Sequence, residues 1–263
     1  VKKYKALETA TCNDGRLRGT LQYYGASQTG RWAGRIFQPQ NIARGTLKDP
    51  DTAIELINST DNETLELLYD DPIKVFSGCL RGMIKAPEGK QLLVSDYSGI
   101  EARVVQWLAE DEEALDIFRQ GKDVYKDMAS SIFGVPYDSV TKDHRFVGKV
   151  AILGLGYGMG APKFRDTCAS FGKEIDQKLA QKTVDTYREK FEKLVAFWRR
   201  VERAAKEAID NEGMLCKAGK LSFKHDGTFL YMKLPSGRTL SYYRAKIEEV
   251  ERDWGMTKQI TYR

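Results

Sequence analysis

Leu92-Leu93-Val94-Ser95-Asp96-Tyr97-Ser98-Gly99-Ile100-Glu101-Ala102-Arg103 is the stretch whose reading decides the fold. Three apolar residues deliver one carboxylate, the chain turns, and a helix begins. Pro87 and Gly89 punctuate the chain upstream, and the length and composition of Leu92–Val94 predict a short buried strand. From Gly99 onward apolar residues recur at 100, 104, 105 and 108, which is helical spacing. Asp96 is therefore expected where a strand ends, a position that presents charge into a cleft, with Glu101 on the helix about a turn further on. Taken by itself, the pattern also fits Ser95 or Asp96 as an N-cap followed by an ordinary surface acid.

A second segment weighs against that plainer reading. Thr141 to Gly160 runs as a helix over 142–153 whose end is loosened by Gly154, Gly156, Gly158 and Gly160. Arg145, Lys149, Leu153 and Tyr157 recur every four residues. That step drifts by only about 40°, so the four share one stripe roughly 18 Å long. Two cations, an apolar contact and an aromatic hydroxyl in a row can hold a triphosphate at one end and a base and sugar at the other. The glycines alternate and do not give G-x-G-x-x-G. Gly89-Lys90 continues into Gln91 with no Gly five residues before it, so dinucleotide-fold and P-loop readings are both excluded.

Charge is unevenly spread. The 263 residues carry a net charge of +5, but residues 1–50 hold nine Lys/Arg against Glu8, Asp14 and Asp49, a local +6. Within that block, residues 12–46 are rich in Gly, Arg and Gln, with a turn at Asp14-Gly15. Such a segment lets backbone approach a polyanion and offers donors to phosphates, sugars and base edges. An irregular surface loop tied down by Trp32 and Phe37 is the alternative. Residues 51–72 carry seven acids and no base, a solvated helical face.

Hydrophobic content of 41% and charged content of 30% describe a soluble globular chain with a real core. No apolar run reaches eighteen residues, and the N-terminus has no apolar leader core, so neither a membrane span nor a secretory signal is expected. Four dispersed cysteines (12, 79, 168, 216) and two histidines argue for reduced thiols and against zinc. Residues 104–134 read as short helices and 176–211 as long and amphipathic. Residues 220–224, 228–234 and 239–243 read as strands, with His225-Asp226 in a turn rather than in a catalytic role.

In order and approximate spacing, Thr29-Gly30-Arg31, Gln40-Asn41-Ile42, Asp96-Tyr97-Ser98-Gly99-Ile100-Glu101-Ala102-Arg103 and Arg145-x3-Lys149-x7-Tyr157-Gly158 resemble the polymerase domain of family A (DNA polymerase I-like) DNA polymerases, phage type. The resemblance covers roughly Lys5 to Arg263. It implies an α+β fold, a right hand with an antiparallel palm sheet and helical fingers, incomplete at the C-terminus. Residues 1–101 would be the end of the thumb and the first part of the palm, 102–215 the fingers, and 216–263 a β-hairpin region returning toward the palm.

It implies template-directed nucleotidyl transfer in DNA replication, with primer-template DNA and dNTPs as partners, two Mg²⁺ ions, no membrane, and the host cytoplasm as location. Asp96 would be one of two metal carboxylates, with the Tyr97 carbonyl also facing a metal. Glu101, paired with Tyr157, would gate the sugar. Arg145 and Lys149 would bind the triphosphate, Lys149 also assisting the leaving pyrophosphate, with Leu153 and Tyr157 along the nucleotide. Arg31, Gln40 and Asn41 would lie along the minor groove.

Three departures from the family pattern matter. Leu153 stands where an aromatic ring is usual, and Gly99 where Gln is usual. The His-Asp-Glu strand carrying the second carboxylate is not found, so these residues alone are expected not to extend primers unless a separate C-terminal chain completes them. A non-catalytic nucleic-acid-binding remnant is the competing reading. A nuclease using Asp96 and Glu101 has no need of the Arg145–Tyr157 stripe.

Overall fold

The computed structural model describes residues 2–42, 47, 49–69, 71–252 and 255–263. Arg44 and Lys48 of the basic block and Asp70 of the acidic stretch lie outside the described residues. The chain forms two compact units, divided after Asp96.

The first unit begins with α1 (Lys2–Ala10), followed by an antiparallel hairpin of β1 (Leu21–Ala26) and β2 (Arg31–Gly34). A 3₁₀ turn at Pro39–Asn41 leads to α2 (Pro50–Ser59), α3 (Asn62–Leu68) and α4 (Pro72–Cys79). Three aspartates start these last helices. Asp49, Asp61 and Asp71 accept from the backbone N–H of Thr52, Thr64 and Lys74, and proline follows Asp49 and Asp71 at the first helical position. The acids of 51–72 thus include caps as well as a solvated face. Two small cores hold the unit, one around Phe37, Ile42 and Leu80 and one around Ala53, Val75 and Cys79.

One alternative and one expectation fail in this unit. Residues 12–46 are not simply an irregular loop, since they contain the β1–β2 hairpin, and Trp32 is 57% exposed while Phe37 alone is buried. Leu92–Val94 forms no strand, and Leu93 and Val94 are 87% and 91% exposed. A strand needs a neighbour for its N–H and C=O groups, and none of the described residues pairs with this run. Apolar composition sets a preference for extended structure without supplying the partner.

The second unit starts with α5 (Ile100–Ala109), α6 (Glu112–Arg119), α7 (Val124–Phe133) and α8 (Lys142–Leu155). Then come α9 (Ala161–Ser170), α10 (Gln177–Lys190) and α11 (Glu192–Asp210). The amphipathic stretch over 176–211 is therefore two helices, broken at Phe191. A four-stranded antiparallel sheet of β3 (Cys216–Ala218), β4 (Leu221–His225), β5 (Phe229–Lys233) and β6 (Thr239–Tyr243) follows in chain order and packs on α11. A separate hairpin of β7 (Lys246–Arg252) and β8 (Gly255–Thr261) ends the chain.

The core of this unit is built on Met128, Ile132, Leu155, Phe164, Val184 and Leu194, all fully buried. Each contributes on the order of 1.5–3 kcal/mol by leaving water. With helices and antiparallel strands segregated along the chain, the fold class is α+β, as the sequence implies. No described helix is long and apolar enough to cross a membrane.

One crossing fixes the geometry of α7 on α8. A Cβ built on Gly148 would lie 2.2 Å from the Tyr125 carbonyl oxygen and 3.0 Å from the Ala129 nitrogen, so backbone meets backbone there. Replacing Gly148 with Ala forces the helices apart and is expected to destabilise the protein by about 1–3 kcal/mol. An unchanged midpoint in thermal or denaturant unfolding would refute this.

The cysteines are all free. Burial pushes the Cys168 thiol up to about 11, and raises those of Cys79 and Cys216, with Glu207 adding to the effect at Cys216. Because the thiolate is the nucleophile, iodoacetamide at pH 8 is expected to label half-buried Cys12 well ahead of the other three. Peptide mapping in which Cys168 is modified first would contradict it.

Candidate functional site

In the first unit, Arg31 begins β2 and is exposed, as are Gln40 and Asn41 on the 3₁₀ turn. Asn41 is fixed at both ends: its amide donates to Gln38 Oε1 at 2.6 Å, and its carbonyl accepts from Lys3 Nζ at 2.9 Å. Beside Arg31, the rings of Trp32 and Tyr23 meet edge to face at 5.3 Å, and both are more than half exposed. The pairing of these two rings across the hairpin was not legible in the sequence, because residue order does not show which side chains of β1 and β2 lie on the same face. Asp96 is exposed and lies outside any helix or strand, and Tyr97 is 80% exposed.

The second unit brings several of the expected residues together. Gly99, at φ +60°, caps α5 from the left-handed region, where a side chain would cost about 1–2 kcal/mol. Glycine is thus the residue the local backbone favours at this position. The cap lets Arg103 fold back, its Nε donating to the Ser98 carbonyl at 2.9 Å while its guanidinium covers the Phe118 ring at 4.5 Å. Glu101, in the first turn of α5, accepts a hydrogen bond from the Tyr157 hydroxyl just beyond α8. Residues 56 apart in sequence are thereby joined as the resemblance implies.

α8 starts at Thr141, whose hydroxyl accepts from the His144 N–H at 3.1 Å, and it carries Arg145, Lys149 and Leu153 at the expected spacing. Its other face, with Val147, Val150, Ala151 and Leu155, is buried, which leaves Lys149 exposed and Leu153 47% exposed. Between α5 and α8 lies an apolar cavity of about 360 Å³ whose lining includes Ile100, Glu101, Val104, Leu108, Leu153 and Tyr157.

Arg145 has a partner that sequence reasoning missed. Its Nε donates to Asp123 Oδ2 at 2.6 Å, and its guanidinium lies 5.2 Å from the centre of the Tyr125 ring. Burial raises the Asp123 carboxyl, but the Arg145 guanidinium and the backbone amides of Lys126 and Tyr125 outweigh it and hold the group below the usual carboxylate range. Asp123 before an apolar helix is recognisable as an N-cap; its long-range cation is not.

Among the described residues no three His, Cys, Asp or Glu side chains converge as a metal site. Asp96 alone does not suffice for the two ions the resemblance implies, and Glu101 already engages Tyr157. His225, expected in the turn, is instead the buried last residue of β4, paired with Leu230, and Asp226 follows it. The Asp226 carboxylate accepts from the Thr228 and Phe229 amides and from the Tyr231 hydroxyl, which is a turn, as expected.

Residues 7–222 match the family model for DNA polymerase family A. The chain is 40% identical over 254 residues to a DNA polymerase of Bacillus phage SP02, covering 96% of this chain and 39% of that protein. It is 36% identical over 143 residues to DNA polymerase I of Pseudomonas aeruginosa, covering 53% of this chain and 15% of the relative. Among solved structures it is similar to the POL domain of Pol1 from M. smegmatis, described as a complex with DNA primer-template and dNTP. The TM-score is 0.56 at 20% identity, covering 90% of this chain and 32% of that one. The chain thus spans well under half the length of these relatives, and the match extends across both of its compact units. With the family model matched over most of its length and a phage enzyme 40% identical over nearly all of it, the chain belongs to DNA polymerase family A, phage type.

Proposed function

We propose that the chain is the nucleotide-binding and primer-end segment of a DNA-directed DNA polymerase acting in replication. The observation that carries this reading is the α8 stripe of Arg145, Lys149 and Leu153, continued by Tyr157 bonded to Glu101, within a family A sequence. Residues 1–101 are assigned to the thumb end and first part of the palm, 102–215 to the fingers, and 216–263 to a hairpin region returning toward the palm.

The partners are primer-template DNA and a dNTP. Arg31, Gln40 and Asn41 are assigned to the minor-groove side of the primer end, supported by their exposure beside an arginine-bearing hairpin. Arg145 and Lys149 receive the triphosphate. The primer 3′-oxygen attacks the α-phosphorus in line, the bond from that phosphorus to the bridging oxygen breaks, and pyrophosphate leaves. Cations fixed on a helix stabilise the charge that gathers on the leaving group, and Lys149 can hand it a proton. Glu101 and Tyr157, locked by their hydrogen bond, close the floor beneath the sugar against a 2′-hydroxyl. Leu153 gives the base an apolar contact without the stacking a ring supplies.

Mg²⁺ is the proposed cofactor, and when bound it would activate the primer hydroxyl and neutralise the phosphates. Asp96 and the Tyr97 carbonyl are proposed as two of its ligands. The remaining ligands are not found among the described residues. If a separate complementing chain supplies them, mixing the two restores synthesis.

In the polypeptide as its gene encodes it, Lys149→Ala is expected to lower the rate of primer extension by about 10²–10³-fold. Arg31→Ala is expected to weaken DNA binding and reduce the slope of log K against log salt by about 1. The 263 residues alone, with one metal carboxylate, are expected to give no Mg²⁺-dependent extension. Full extension by Lys149→Ala would sink the reading. Salt-sensitive DNA binding that ignores nucleotide and Mg²⁺ would favour the non-catalytic alternative.

A further inference from the structure

We infer that Asp123 is a positioning residue for the triphosphate, acting through Arg145; this rests on the reading of Arg145 as a phosphate-binding cation. The carboxylate is itself held rigidly. As the N-cap of α7, its Oδ1 accepts from the backbone N–H of Tyr125 at 2.9 Å and of Lys126 at 3.3 Å, which fixes the side chain to the start of the helix. Its Oδ2 then receives Arg145 Nε at 2.6 Å. The Tyr125 ring flanks the same guanidinium, with 5.2 Å from Cζ to the ring centre. The approach of α7 to α8 that permits this is set one turn further along, where Gly148 faces the Tyr125 carbonyl with no room for a side chain.

The geometry of the pair decides its role. A carboxylate that clamped both terminal nitrogens would compete with a phosphate. Asp123 instead engages Nε, the inner donor, so the outer edge with its four Nη–H donors keeps the fork that binds a phosphate in bidentate fashion. Arginine loses considerable rotamer freedom on binding an anion; a guanidinium already fixed by a capped carboxylate and a ring has lost that freedom beforehand. Asp123 therefore aims the cation at the nucleotide without touching it.

The test separates this role from the cap. Asn and Ser both cap helices well, so Asp123→Asn and Asp123→Ser keep α7 while removing the negative charge that faces Arg145. Equilibrium dATP binding and steady-state extension would be measured on the gene-encoded polypeptide for these variants, for Arg145→Ala, and for Asp123→Asn/Arg145→Ala. Both single Asp123 variants are expected to raise Kd and KM for dATP roughly three- to tenfold, with kcat changed less and the unfolding midpoint nearly kept. Once Arg145 is gone, removing Asp123 is expected to add nothing.

Unchanged or tighter dATP binding in Asp123→Asn, with Arg145→Ala weakened, would overturn the inference alone. So would full additivity in the double variant. Arg145→Ala binding dATP as the parent does would overturn both the inference and the reading of Arg145 beneath it.

Discussion

Gly148 and the Tyr125 carbonyl occupy space that a single methyl group would fill, and the second unit is arranged around that contact. Helix backbones approach this closely only where one of them lacks a Cβ. The crossing is flanked by Met128, Ala129 and Ala151, each fully buried, so little slack exists for the helices to slide. With α7 and α8 fixed, everything carried on the outer face of α8 acquires a defined position. The long α8 can then afford exposed functional groups, because its buried face holds it.

A consequence is a division of labour between faces. Val147, Val150, Ala151, Ile152 and Leu155 anchor α8, while Lys149 and Leu153 lie exposed and Arg145 partly so. Arg145 is steered by the cap of one neighbouring helix. Tyr157 is steered by the first turn of another, through Glu101. Two tethers at opposite ends of the stripe come from different helices, α7 and α5, so the stripe responds to the packing of both. An aspartate that caps a helix and also orients an arginine couples local helix stability to the direction of a distant charge.

Much of this was legible from residue order. Helical spacing located α5 and α8 closely and placed α6 and α7 only within a run of short helices, and turn residues located β4, β5 and β6. The acid-turn-helix of Asp96 to Arg103, together with Arg145-x3-Lys149-x7-Tyr157, identified the family later matched over residues 7–222. These features are local: a 3.6-residue period, a cap or a fixed spacing is complete within a few turns of chain. Leu92–Val94 was misread for the complementary reason. Its composition favours a strand, but a strand exists only beside another, and no local pattern reports whether a neighbour is present. The exposure of Trp32 was equally illegible, since an aromatic side chain does not announce which side of a hairpin faces water.

The sequence by itself therefore determined the family, the helical stripe and the chemistry of its side chains, because covalent order and helical geometry are enough to specify them. Only the tertiary structure decided that Asp123 holds Arg145 from 22 residues away and that Gly148 lets α7 and α8 touch. It also decided that Trp32 and Tyr23 stay exposed. These are contacts between segments whose separation along the chain carries no period. They depend on how buried faces pack, and packing is settled by volume and shape summed over many residues at once.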